Sequence, residues 1–109
     1  RGRLVRALIE AAQPGELAVA DTCLRPALLG DSSLLRAARA RSLPVLAGTD
    51  PLPRLGEEEM AGRYGVLVDG AFDEDHAAAS LTGLLSRAGA HLQTLGRRCS
   101  LGEAFSRAW

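Results

Sequence analysis

Three short apolar runs each close on an aspartate: Leu17–Ala18–Val19–Ala20–Asp21, Val45–Leu46–Ala47–Gly48–Thr49–Asp50 and Gly65–Val66–Leu67–Val68–Asp69. Each is short, apolar and bounded by turn residues, the signature of a strand buried on both faces of a parallel sheet. In α/β sheets and barrels the working site lies at the carboxyl ends of the strands. Strands running side by side in one direction would therefore carry three carboxylates to one rim.

The stretches between the runs support that layout. Leu4, Val5, Leu8, Ile9 and Ala12 recur at helical spacing opposite Arg3, Arg6 and Glu10, and Gln13–Pro14–Gly15 ends the helix. The first strand is expected over about 17–21. Asp31 or Ser32 suits the N-cap of a second helix with Leu34, Leu35 and Ala38 on its apolar side and Arg36, Arg39 and Arg41 in solvent. Pro44 opens the second strand, where a missing N–H costs least. Pro51 and Pro53 forbid regular structure, and Glu57–Glu58–Glu59 reads as the solvated first turn of a short helix that Gly62 ends. A third strand is expected over about 64–69. Asp73 can cap a long helix over roughly 74–88, and Ser100–Leu101–Gly102–Glu103 fits a capping box for a last helix ending at Trp109.

The order α-β-α-β-α-β-α-α predicts an α/β chain of about three short parallel strands with right-handed crossovers. Residues 1–109 read as one domain, or as the carboxyl-terminal fragment of a larger one, with no internal repeat. Three strands leave sheet faces and edges uncovered, so the chain is expected to belong to a larger sheet or barrel or to assemble with another copy. It opens on Arg1 and enters a helix at once, which favours a processed or truncated product and a partner segment upstream.

Composition narrows the function classes. Apolar residues make up 47%, enough to build a core. Thirteen basic and 13 acidic residues cancel, leaving no broad positive field for a phosphate backbone, so no nucleic-acid partner is expected. No apolar run approaches the roughly 20 residues that span a bilayer, so no membrane partner is expected. Every basic residue is arginine, which excludes lysine Schiff bases and P-loop lysines from the chain. Two distant cysteines, Cys23 and Cys99, form no C-x-x-C motif, and a reducing cytoplasmic location is the default.

Gly48–Thr49–Asp50–Pro51 is the most specific local feature. Small residues at 47 and 48 permit close approach of a ligand, and Pro51 is expected to hold Asp50 in extended backbone. A carboxylate fixed there could ligate a metal or take a proton from water; the alternative is a turn cap before proline. Asp21 and Asp69 are candidates on the same rim, or turn caps. Arg25, in the loop after the first strand, could clamp a carboxylate or phosphate, or sit in a surface ion pair; Thr49 could contact the same substrate. Cys23 reads as a buried, inert thiol. Arg97 and Arg98 would activate Cys99 if it were exposed. His76 and His91 fall away from the strand ends.

The stretch from Asp21–Thr22–Cys23–Leu24–Arg25–Pro26 to Leu43–Pro44–Val45–Leu46–Ala47–Gly48–Thr49–Asp50 resembles the last two βα units of a metal-dependent hydrolase barrel of the amidohydrolase or polymerase-and-histidinol-phosphatase type. The resemblance implies a TIM-like barrel acting on a small-molecule substrate. It implies Asp50 as metal ligand and base, Arg25 and Thr49 at the substrate, and a divalent metal (Zn, Mn or Mg) that this chain does not hold alone. It also implies histidine ligands on strands upstream of Arg1. A second stretch, with Leu43–Pro44–Val45–Leu46–Ala47 as the strand before the donor loop and Gly65–Val66–Leu67–Val68 as a later strand, looks like the nucleotide-sugar half of a GT-B glycosyltransferase. The remaining alternative is a non-catalytic α/β fragment or assembly module whose aspartates are caps.

Overall fold

The computed structural model describes residues 2–89 and 92–108. Helix α1 (Gly2–Ala11) leads into β1 (Val19–Thr22), α2 (Ser33–Ala40) and β2 (Val45–Gly48). β3 (Tyr64–Leu67), α3 (Ala77–Ala88), β4 (Gln93–Gly96) and α4 (Leu101–Ala108) follow. Two 3-10 turns, Ala27–Leu29 and Glu57–Met60, lie in the connections. His91 and Trp109 fall outside the described residues.

The β1–α2–β2 unit forms as the apolar runs and breakers dictate. β1 and β2 pair in parallel, with Val19 opposite Val45 and Asp21 opposite Ala47. Ser32 caps α2 by accepting the Leu35 amide at 3.2 Å on its Oγ. Ile9 and Ala12 of the α1 region pack on Leu35 and Ala38 of α2 and on Leu43 and Val45, with Val19 and Leu17 at the margin. Full burial of a side chain such as Ile9 contributes about 1.5–3 kcal/mol. Much of the α1 stripe stays in solvent, however: Leu4 is 67% and Leu8 54% exposed.

The second half departs from the expected all-parallel order. β3 pairs with β4, and the pair is antiparallel, Tyr64 opposite Gly96 and Leu67 opposite Gln93. β4 carries no apolar alternation that would announce it: all four of its residues are exposed. The two ladders are separate, and the Thr49 hydroxyl joins them by donating to the Tyr64 carbonyl at 3.2 Å. No closed barrel is present among the described residues; the sheets are two two-stranded pairs.

Local expectations shift at several boundaries. α3 starts at Ala77, not near 74, because Asp73 Oδ1 accepts the amides of Asp75 and His76 at 3.0 and 3.3 Å and holds those residues in a turn. Glu57 is not a solvated helix start but a buried ion-pair partner of Arg107. The capping box at α4 forms as read: the Ser100 amide donates to Glu103 Oε2 at 2.7 Å and the Glu103 amide to Ser100 Oγ at 3.2 Å.

The molecule is a slab of 38 × 36 × 21 Å with a radius of gyration of 15.0 Å. A closed globule of this length would have a radius near 13 Å.

Candidate functional site

Alternation along paired strands sorts β1 and β2 into two faces. Val19, Asp21, Val45 and Ala47 turn toward the helices and the second ladder. Ala20, Thr22, Leu46 and Gly48 share the opposite face, which is open. These residues, with Asp21 and Asp50 at the rim, line a groove of about 480 Å³.

Asp50 stands where β2 leaves the sheet and is exposed. Its backbone has φ 50°, left-handed, in contrast to the extended conformation that the following proline favours. Aspartate tolerates this region better than most residues because its short side chain bonds locally. Among the described residues no hydrogen bond or ion pair reaches its carboxylate. Thr49, beside it, is buried and committed to the Tyr64 carbonyl.

Asp21 has a different setting. Its side chain is 1% exposed. Arg25 Nη2 donates to Oδ1 at 2.8 Å, Arg98 Nε to Oδ2 at 2.8 Å and the Tyr64 hydroxyl to Oδ2 at 2.7 Å. Burial alone would raise its pKa. The hydrogen bonds from Arg25, Tyr64 and Arg98, with the charge of Arg98, outweigh burial and hold the carboxyl below its ordinary value. Tyr64 moves up, through burial and then through its bond to the Asp21 anion. Arg98 also reaches Asp31 Oδ1 at 2.5 Å, and Asp31 is lowered chiefly by that bond, against burial and with help from Arg39. Arg25 closes the network on Asp31 at 3.6 Å and on the Gly30 carbonyl.

A second buried cluster lies next to this one. Cys23 and Cys99 are each 2% exposed with their sulfurs 3.3 Å apart. Arg107 Nη1 donates to Cys99 Sγ at 3.2 Å and faces Cys23 Sγ at 3.6 Å. The same guanidinium grips both oxygens of Glu57, with Nε to Oε1 at 2.8 Å. The Arg107 bond, then the Leu52 amide, draw Glu57 down to about 2.

The three strand-end aspartates therefore do not share one mouth. Asp21 and Asp50 border one groove, with the Asp21 carboxylate turned to the far face. Asp69 is exposed and lines a separate cavity of about 340 Å³ with Leu84, Arg87 and Gln93. Arg25 lies in an ion pair with a buried carboxylate. Sequence reasoning missed Tyr64, Arg98, Glu57 and Arg107 as partners, since each meets its counterpart across 43 residues or more. Among the described residues no three His, Cys, Asp or Glu side chains converge as a metal site. No helix among them is long and apolar enough to cross a membrane.

Comparison with protein-family models, with characterised proteins and with solved structures gives no match to this chain.

Proposed function

We propose that this chain forms part of a metal-dependent hydrolase acting on a small molecule, with Asp50 as one carboxylate of the site. The observation that carries the reading is the contrast between the two groove aspartates. Asp21 is neutralised by two arginines and a tyrosine, whereas Asp50 stands at the β2 tip with no partner among the described residues. A groove of about 480 Å³ falls within the roughly 300–1,000 Å³ of small-molecule sites. The packing of α1 and α2 on one face of β1–β2, with the other face open, also suits a wall of a larger α/β barrel.

The residues present do not make a complete metal site, and no reaction step through a metal is derived from them. Asp50 would supply one ligand; the others would come from a segment outside residues 1–109 or from a second copy. The binding roles of Arg25 and Thr49 require them to release Asp21 and the Tyr64 carbonyl.

The test is metal analysis and hydrolysis of ester and amide substrates by the full-length protein, wild type against Asp50→Asn. Asparagine accepts left-handed backbone as aspartate does, so the fold is kept. Metal affinity and turnover should fall by more than the roughly 10–100-fold that follows loss of a supporting partner. Unchanged metal content and activity would remove Asp50 from any site.

A second reading, a non-catalytic assembly module, is favoured by the uncovered α1 stripe at Leu4 and Leu8. It predicts that Asp50→Asn changes nothing, while Leu8→Glu alters association state.

A further inference from the structure

We propose that Cys23 and Cys99 are a covalent modification site: a buried dithiol that hydrogen peroxide converts to an intramolecular disulfide. The two residues are 76 positions apart, yet the backbone holds them side by side. The Cys99 amide donates to the Cys23 carbonyl at 2.8 Å, the Cys23 amide to the Gly48 carbonyl at 2.9 Å, and the Ala27 amide to the Cys99 carbonyl at 2.9 Å. Both side chains therefore start from adjacent backbone positions tied directly to each other. Their sulfurs, at 3.3 Å, need to close by roughly 1.3 Å to reach a bond of about 2.05 Å.

Access and charge fit a small oxidant. The pair borders a narrow depression of about 10 Å³ lined by Met60, Arg63, Arg97, Arg98 and Glu103, so peroxide reaches the sulfurs when these surface side chains swing aside, while a peptide disulfide is excluded. Arg107 faces both sulfurs, so negative charge developing on either is met by a guanidinium that Glu57 already orients. Burial first, then the Cys99 sulfur, push the Cys23 thiol up against the pull of Arg107, so Cys23 rests protonated.

The chemistry balances without another reactant. One thiol gives up its proton as its sulfur attacks an oxygen of peroxide; the O–O bond breaks, a sulfenic acid forms, and the leaving hydroxide takes that proton as water. The second sulfur then attacks the sulfenic sulfur, the S–O bond breaks and a second water leaves. Two thiols are oxidised and one peroxide is reduced to two waters.

The modification also reaches the groove loop. Bond formation moves both sulfurs that Arg107 faces, and the same guanidinium holds Glu57, which accepts the Leu52 amide at 3.0 Å, two residues past Asp50.

The test is peroxide treatment of the full-length wild-type protein, then alkylation under denaturing conditions and non-reducing peptide mapping. The expected result is loss of both alkylatable thiols, a mass lower by two hydrogens, a Cys23–Cys99 linked peptide, and full reversal by dithiothreitol. Cys99→Ala and Cys23→Ala should each lose the link and the two-hydrogen mass change. In the wild type the Leu52 amide resonance should move on oxidation. Thiols that still alkylate in full, links only between chains, or oxygen added at Met60 alone would overturn the proposal. A stationary Leu52 amide would overturn the coupling to the loop. Wild-type mapping decides the central point even if a variant does not fold.

Discussion

Tyr64 gives its hydroxyl hydrogen to Oδ2 of Asp21 across 2.7 Å, and through that bond the first residue of β3 is tied to β1. The two ladders share no strand pairing. Beyond the backbone bonds that Cys99 makes with Cys23 and Ala27, side chains align them: this bond, the Thr49 hydroxyl on the Tyr64 carbonyl, and Arg98 reaching back from beyond β4. Asp21 accepts from both Tyr64 and Arg98, so one buried carboxylate ties β1 to the second ladder.

Asp21→Ala should cost about 3–5 kcal/mol in urea unfolding, because it removes the buried carboxylate on which Arg25 and Arg98 converge and leaves the two guanidiniums to share Asp31. Tyr64→Phe keeps both ion pairs and removes one hydrogen bond to a charged group, an expected loss of about 1.5–3 kcal/mol. Equal losses in the two variants would show that the arginines do not depend on Asp21.

Acid should weaken the fold. Asp21, Asp31, Glu57 and Glu103 all have pKa values held below normal, with Glu57 and Glu103 at about 2. Carboxyls lowered in the folded state stabilise it fully above the unfolded value near 4, and that contribution is lost as pH falls through the folded value. Unfolding free energy should therefore be flat from about pH 7 to 5 and drop steeply between about pH 4 and 2. A constant or rising value over that interval would contradict the network.

Gly96 ends β4 at φ 73°, and a Cβ there would overlap the Arg63 carbonyl oxygen. Gly70, at φ 147°, would meet only the end of the Leu84 side chain. Gly96→Ala should destabilise by about 2–4 kcal/mol and Gly70→Ala by less, since a leucine methyl can swing away and a backbone carbonyl cannot. Thermal melts of the two variants decide the order.

Ser100→Ala should lower stability by about 1 kcal/mol, the typical value of an N-cap. Glu103→Gln should lose less, since its amide oxygen still accepts the Ser100 amide. The reverse order would mean that the bonds of Glu103 to Arg97 matter more than the cap.

The β1–α2–β2 unit was legible because each of its signals is local: apolar runs, Ser32 before a helix, and Pro44 at a strand entry. The capping box at Ser100 and Glu103 was legible for the same reason. β4 was not, since Gln93–Thr94–Leu95–Gly96 pairs by its backbone and buries no side chain. The place of Asp50 just past the end of β2 was legible from the apolar run before it. The neutralisation of Asp21 was hidden, because Tyr64 and Arg98 arrive from 43 and 77 residues away and no local pattern records that meeting. The left-handed turn at Asp50 was hidden by Pro51, whose usual effect points the other way.

The proposed hydrolase role requires the carboxylate at the β2 tip to receive a divalent cation on the open face. Mn²⁺ added to the isotope-labelled full-length protein tests it most directly, since paramagnetic broadening reports distance from the ion. Broadening should be strongest at Gly48, Asp50 and Ala20, weaker at Asp21's partners on the far face, and abolished by Asp50→Asn. Broadening centred on Glu58, Glu59 or Asp73–Asp75, or an unaltered pattern in the variant, would contradict it.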